Sequence, residues 1–394
     1  LQVQNDFSWW PDVGAREGLP FIVIVIALVI LGKRLPTRGS IELAHLPKAP
    51  ASRPTIVKVL VPYAATIAAF FVLSGGWRVA LLTTLTFAVL ALSLVVLTGY
   101  VGQISLAQMA FAGVAGFALS RIAYRWEVPF PIAPILAALV ATAFGLVVGI
   151  PALRVRGINL AIVTLAGGVA IQEFVFKNPT YTGSIADGGA PIPNPKLFGI
   201  DLGLTTEGQL FRPAFGVLVT TVVLLIALAV ANLRRGTVGR RMLAVRANER
   251  AAAAAGINVA ATKLMAFAIS SFIAGIGGTL IAYRFGSVSD ASYGLFASLT
   301  VLAFAYLGGI TTVGGAFTAG AVTAGGVFFY GVQQSSDAFA GGRGNLELFI
   351  GGIALVVTAI INPEGIAGAV RGIVSRRTAR RVPFASPVAR KVAA

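Results

Sequence analysis

Two stretches of the chain combine glycine with hydroxyl and amide side chains and carry no charge. One is Thr98-Gly99-Tyr100-Val101-Gly102-Gln103-Ile104-Ser105, with Gln108 just beyond it; the other is Leu307-Gly308-Gly309-Ile310-Thr311-Thr312-Val313-Gly314-Gly315. Such groups can hydrogen-bond a small polar solute. The candidates for a solute path are therefore Gly99, Tyr100, Gly102, Gln103, Ser105 and Gln108, with Gly308, Gly309 and Thr311 opposite. Two readings are open for each stretch. It is a broken helix lining a path, since irregular backbone at membrane depth must be buried in protein or line water, or it is a tight turn between hydrophobic helices. A third cluster is basic and suits contact with a soluble partner: Arg240, Arg241 and Arg246, with Glu249 and Gly256. The groups of a typical enzyme are missing. There is no Cys, the one His is His45 in a linker, no carboxylate pair lies within an apolar segment, and no G-x-x-x-x-G-K-[ST] phosphate loop occurs.

The elements that must position these residues follow from composition. The 394 residues are 57% apolar and 11% charged, well below the charge of a soluble domain. A helix that crosses a bilayer needs roughly 20 apolar residues. Apolar runs predict eleven spans near 19–32, 57–74, 79–98, 105–124, 131–150, 158–176, 213–232, 263–283, 296–310, 313–333 and 347–361. A soluble enzyme, a disordered chain, a disulfide scaffold and a lipid-facing β-barrel are excluded.

The net charge of +17 has nucleic acid as one conceivable partner. The better account is a bias of Lys and Arg to one membrane face. With 33–58 placed inside, alternation puts Lys33, Arg34, Arg154, Arg156, the arginines of 233–262 and the tail from Arg371 to Lys391 inside, with Glu42, Glu249 and Glu364 as the inner acids. No ionisable residue falls near the middle of a span; Arg121, Glu173, Arg284 and Glu347 sit near ends. Midplane charges usually mark proton relays or ion paths, so a proton-coupled carrier is disfavoured. Small residues such as Gly113, Gly116, Gly275, Gly277 and Gly278 allow close helix packing.

Within 233–262, Thr237 is expected to cap a helix and Gly256 to end it. Val238, Met242, Val245, Glu249 and Ala252 recur at helical spacing as one stripe. A helix of this size is marginal alone, which suits presentation to a soluble partner. The alternatives are topology alone for the arginines and an i,i+3 pair with Arg246 for Glu249. The outer loop 177–212 is near neutral and rich in Pro and Gly; it suits either a platform for a partner or an ordered lid. At the start, Asp12 and Glu17 precede an apolar run that Lys33-Arg34 follows, the reverse of a signal peptide. FIVIVIALVILGKRLPTRG at 21–39 also echoes FIGGIALVVTAIINPEG at 349–365. The expectation is that 1–36 is the last helix of a preceding half, joined by the cytoplasmic linker 37–56 to a half at 57–370, with a basic tail at 371–394. Two similar helices by chance is the alternative.

The run GRRMLAVRANERAAAAAGINVAATKLMAFAISSFIAGIGGTLIA resembles the corresponding segment of the permease subunits of branched-chain amino-acid ABC importers, the LivM type. TGYVGQISLAQMAFAGVAG at 98–116, RGINLAIVTLA at 156–166, YTGSIADGG at 181–189, LGGITTVGGAFTAG at 307–320 and NPEGIAG at 362–368 are similar too, and residues 1–36 look like the end of a sister LivH-type permease. One departure is Ala107-Gln108, where the family usually has Gly-His. The resemblance implies an all-α polytopic permease in a bacterial plasma membrane, C-terminus cytoplasmic. It also implies the partners: a second permease half, two ATP-binding subunits that hold ATP and Mg, an extracytoplasmic solute-binding protein, and membrane lipid, with no nucleic acid and no cofactor in this chain. Arg240, Arg241, Arg246, Glu249 and Gly256 would contact the ATPase. Urea and short-amide permeases share much of the pattern. A secondary transporter or a channel remains the rival class.

Overall fold

A computed structural model describes residues 56–155, 158–177, 190–204, 212–340 and 365–369, together with Val23, Ile26 and Ala49. Twelve helices are described here: α1 Ile56–Val72, α2 Gly76–Leu94, α3 Gln108–Ser120, α4 Ile132–Ala152, α5 Ile158–Ile171, α6 Pro213–Arg235, α7 Thr237–Ala247, α8 Glu249–Ala254, α9 Val259–Phe285, α10 Leu295–Gly308, α11 Val313–Ala321 and α12 Val327–Ala340. Wide π turns extend α2 through Val95–Tyr100, α3 through Arg121–Arg125 and α5 through Gln172–Phe176. Among the described residues six segments are long and apolar enough to cross a membrane: Gly76–Tyr100, Ile132–Ala152, Asn159–Phe176, Pro213–Arg235, Val259–Phe285 and Asp290–Gly308. The protein is an all-α polytopic membrane protein.

Two expected spans take another form. The run 105–124 is the short α3, buried almost along its whole length at the centre of the bundle. The run 313–333 is α11 and α12, separated where Gly325 adopts φ +73°. The expected spans at 19–32 and 347–361, the tail 371–394 and nearly all of 1–55 lie outside the described residues.

The packing is that of a bundle in lipid. On α4, Ala133, Ala137, Ala138 and Ala141 are buried, while Ile132, Leu136, Leu139, Val147 and Ile150 are exposed. Large apolar residues outside and small ones inside reverse the soluble pattern, because lipid accepts the former and close helix approach requires the latter. The small face of α4 meets α9, where a Cβ on Gly275 would stand 3.0 Å from Ala138 Cα. One turn further along α9, a Cβ on Gly278 would land on the Ala112 carbonyl of α3.

Contacts across the chain respect the alternation of loops. Ala190–Pro191 pairs with Ser287–Val288, joining two segments expected on the outer face. Trp77 packs edge-on against Tyr330 at 4.9 Å, also at outer ends. Arg234 Nη2 donates to the Ala49 carbonyl at 2.6 Å, tying the linker to the loop expected on its own side.

Gly278→Val should cut accumulation in the membrane severalfold and lower the melting temperature, since overpacking costs about 1–3 kcal/mol. Gly314→Ala, at a position with nothing within 4 Å of the new Cβ, should leave both unchanged or slightly raised. Thermal unfolding of the purified variants checks the contrast.

Candidate functional site

The two glycine-rich stretches meet. The π turn at the end of α2 carries Gly99 onto the turn between α10 and α11, where a Cβ on Gly99 would land on the Ile310 carbonyl and come within 3.3 Å of Thr311 Cα. Any side chain at 99 would push the backbones apart. The first stretch is broken helix. Its backbone groups are satisfied locally: Gly102 N donates to Thr98 O (3.1 Å), Gln103 N to Leu97 O (3.1 Å), and Thr98 Oγ1 to Gln103 O (2.9 Å). Gly102 takes φ +78° to allow this. The second stretch is a tight turn. Gly308 ends α10, Gly309 reverses the chain at φ +112°, Thr312 Oγ1 caps α11 by accepting from Gly315 N, and Thr318 Oγ1 donates to Gly308 O at 2.8 Å.

Hydroxyls from neighbouring helices complete the start of α3, whose first N–H groups have no partner within their own helix. Thr164 Oγ1 of α5 accepts from Leu106 N at 3.0 Å, and Ser298 Oγ of α10 accepts from Met109 N at 3.0 Å. Ser105 Oγ accepts from Ala107 N at 3.3 Å. Gln108, first residue of α3, accepts from Ser93 Oγ of α2 (3.0 Å) and donates to Ser270 Oγ of α9 (3.3 Å). Gln108 thus ties three helices with a neutral network. Thr164, Ser298, Ser93 and Ser270 were not singled out from the sequence; a lone hydroxyl in an apolar run gives no signal of its partner. Two polar atoms at the site are buried without a hydrogen-bond partner, Gln103 Oε1 and Thr311 Oγ1.

The basic loop closes over this crossing. It is two helices, not one. Asn248 leaves helical geometry (φ −162°, ψ 110°), and its side chain accepts from Arg250 N and Ala251 N to start α8. Gly236, not Thr237, occupies the N-cap of α7, with no side-chain cap. Gly256 does end the loop helices in the left-handed conformation, φ +80°. The apolar stripe expected to meet a soluble partner faces the chain itself: Met242, Val245 and Ala252 are buried in the core, with Val238 packed at its edge. Docking on its own protein is what makes so short a helix stable.

Two of the five charged-loop candidates turn inward with the stripe. Arg246 Nη1 donates to the Gly99 carbonyl, in the π turn at the crossing. Burial lowers the pKa of this guanidinium, Tyr306 opposing the shift and Arg234 adding to it; an arginine still keeps its charge. Glu249 Oε1 lies 2.6 Å from Lys263 Nζ, with Lys263 only 4% exposed against 27% for Glu249. Lys263, at the start of α9, was missed by sequence reasoning. The break at Asn248 falls between Arg246 and Glu249. Arg240, Arg241 and Gly256 lie on the exposed side of the loop, beside Arg250 and the exposed alanines of α8. The loop thus has a basic outer face and an inner face clamped to the crossing. Among the described residues no group of His, Cys, Asp and Glu could hold a metal ion.

Residues 79–359 match the family described as "Branched-chain amino acid transport system / permease component". The chain is similar to the "High-affinity branched-chain amino acid transport system permease protein LivM" of Salmonella typhimurium, 34% identical over 250 residues, 59% of this chain and 58% of that protein. The protein of the same name from Escherichia coli K12 is matched with the same identity and coverage. The aligned part thus spans 58% of the length of each of these curated relatives. No solved structure matches.

Glu249→Lys should place two cations together beneath the loop and lower both thermal stability and uptake. Adding Lys263→Glu should restore most of each, because the pair is re-formed with its charges exchanged. Melting temperatures of the single and double variants provide the check, and failure of the exchange to rescue would count against the clamp.

Proposed function

The chain belongs to the branched-chain amino acid transport system permease component family, and from that premise we propose that it is the membrane subunit of an ATP-driven importer for branched-chain or related amino acids. A binding protein on the outer side delivers the solute. ATP and Mg are held by two separate subunits on the inner side, and a second permease half completes the passage. The membrane is the bacterial plasma membrane, with the C-terminus in the cytoplasm.

The observation that carries this reading is the two-faced loop. Its outer face, with Arg240, Arg241 and Gly256 exposed, is the docking surface for the ATP-binding subunits. Its inner face holds Gly99 through Arg246 and α9 through Glu249 and Lys263. A push on α8 is thereby delivered to the place where Gly99 and Ile310 press together. Separating that contact would free Gln103 Oε1 and Thr311 Oγ1, both unpartnered when it is closed, to meet a passing solute. On the other side of the membrane, Phe198 stands 96% exposed on the hairpin of Lys196–Leu197 with Ile200–Asp201. It holds a left-handed backbone, φ +50°, that a bulky residue rarely adopts. An exposed ring kept in a costly conformation suits an anchor for the binding protein.

A second reading, transport of urea or a short amide, is favoured by one observation: every polar side chain at the crossing is uncharged apart from the Arg246 clamp.

Two variants separate docking from transmission. Arg240→Glu with Arg241→Glu should abolish copurification of the ATP-binding subunits. Arg246→Met should leave copurification and ATP hydrolysis in place while lowering solute uptake at least tenfold. Uptake by reconstituted vesicles, alongside affinity purification, measures both, and unchanged uptake in Arg246→Met would refute the transmission role.

A further inference from the structure

Among the described residues only Glu173 and Lys263 are charged and buried. Lys263 is accounted for by Glu249. Glu173 is not accounted for. Its Oε1 takes the Lys177 ammonium at 2.7 Å, with side-chain exposures of 9% for Glu173 and 41% for Lys177, and its Oε2 has no hydrogen-bond partner. A carboxylate in low-dielectric surroundings usually has all its lone pairs engaged, because an unpartnered buried oxygen costs about 1–3 kcal/mol. The lysine end of the pair is half-exposed, so its ammonium is the partner that another cation can replace.

The position is as specific as the chemistry. Glu173 lies in the π turn Gln172–Phe176 that ends α5, and such one-residue insertions concentrate at functional sites. On the same helix, residues before and after it pack on the central α3. A Cβ on Gly168 would stand 3.6 Å from Ala110 Cβ, and one on Gly113 would land on the Phe176 ring. Phe176 in turn packs against Phe117 at 5.0 Å and Tyr293 at 6.5 Å. The segment that follows is the loop expected on the outer face, the side from which an imported solute would enter.

We propose that Glu173 is the group that receives the primary ammonium of the solute at the outer end of the passage. Lys177 is the resident competitor: its own alkylammonium already occupies one oxygen, and the α-ammonium of an amino acid takes the other or displaces it. This rests on the amino-acid reading above and adds to it, since a solute without an ammonium gains nothing from a buried carboxylate. The crossing at the inner side then handles the solute after its charge has been recognised outside.

The test uses the complete importer in proteoliposomes, supplied with saturating binding protein, with L-leucine and isobutyramide as probes. If the wild type concentrates isobutyramide and not leucine, the amino-acid reading fails before any variant is made, and this proposal falls with it. If the wild type concentrates leucine, Glu173→Gln should lower leucine uptake at least tenfold while nucleotide hydrolysis stimulated by the binding protein stays within twofold. Lys177→Met should lower the KM for leucine severalfold, because the competitor is gone. A purely structural ion pair predicts the opposite, equal losses in Glu173→Gln and Lys177→Met, and that outcome overturns the proposal. So does leucine uptake at the wild-type rate in Glu173→Gln. Should Glu173→Gln not accumulate, the direction of the Lys177→Met change in KM decides the matter alone.

Discussion

The structure depends on one close approach: the backbone of Gly99 pressed against Ile310 and Thr311. Two irregular segments meet there, and no side chain could be inserted between them. Everything around the contact serves to make it tolerable at membrane depth. The π turn brings Gly99 to the contact, hydroxyls of Thr98, Thr164 and Ser298 satisfy backbone groups that regular helix would have satisfied, and the Arg246 guanidinium covers the Gly99 carbonyl. In lipid an open carbonyl costs several kcal/mol. The arginine is therefore part of the contact and part of the loop at once.

Charge is distributed to match. The interior holds neutral hydrogen-bonding groups, as in the Ser93–Gln108–Ser270 network, and among the described residues buried charge is confined to helix ends, at Lys263 and Glu173. On the proposed reading, a neutral passage would let a zwitterion or an amide move without a strong electrostatic well in which it would stick.

Much of this was legible in the sequence. The spans at α2, α4, α5, α6, α9 and α10 stand out because lipid-facing helices are apolar all round, and glycine between hydroxyls marked both sides of the crossing. Other features were hidden for physical reasons. Averaged hydropathy cannot see a break, so α11 and α12 looked like one span although Gly325 turns the chain between them. The bias of basic residues says on which face an arginine lies and not which way it points. Arg246 and Arg240 looked alike in the sequence, yet one is clamped to Gly99 and the other is exposed. The pairing of Glu249 with Lys263 depends on the helix break at Asn248, whose signal, an Asn followed by Glu in a first turn, was present but was overridden by the longer alanine run. Glu173 was noted only as a charge near a helix end; its burial and its unpartnered oxygen are properties of packing alone.

The chain contains no cysteine, so a single thiol can report on the crossing directly. Thr311→Cys places it at a residue that is buried while Gly99 and Ile310 are in contact. In the assembled importer, the rate of labelling from the inner side by a membrane-impermeant maleimide should differ at least tenfold between nucleotide-free and nucleotide-trapped states. With Arg246→Met added, that dependence should vanish while nucleotide binding persists. Labelling that responds to nucleotide equally with and without Arg246 would contradict the view that the loop acts on the passage through this one contact.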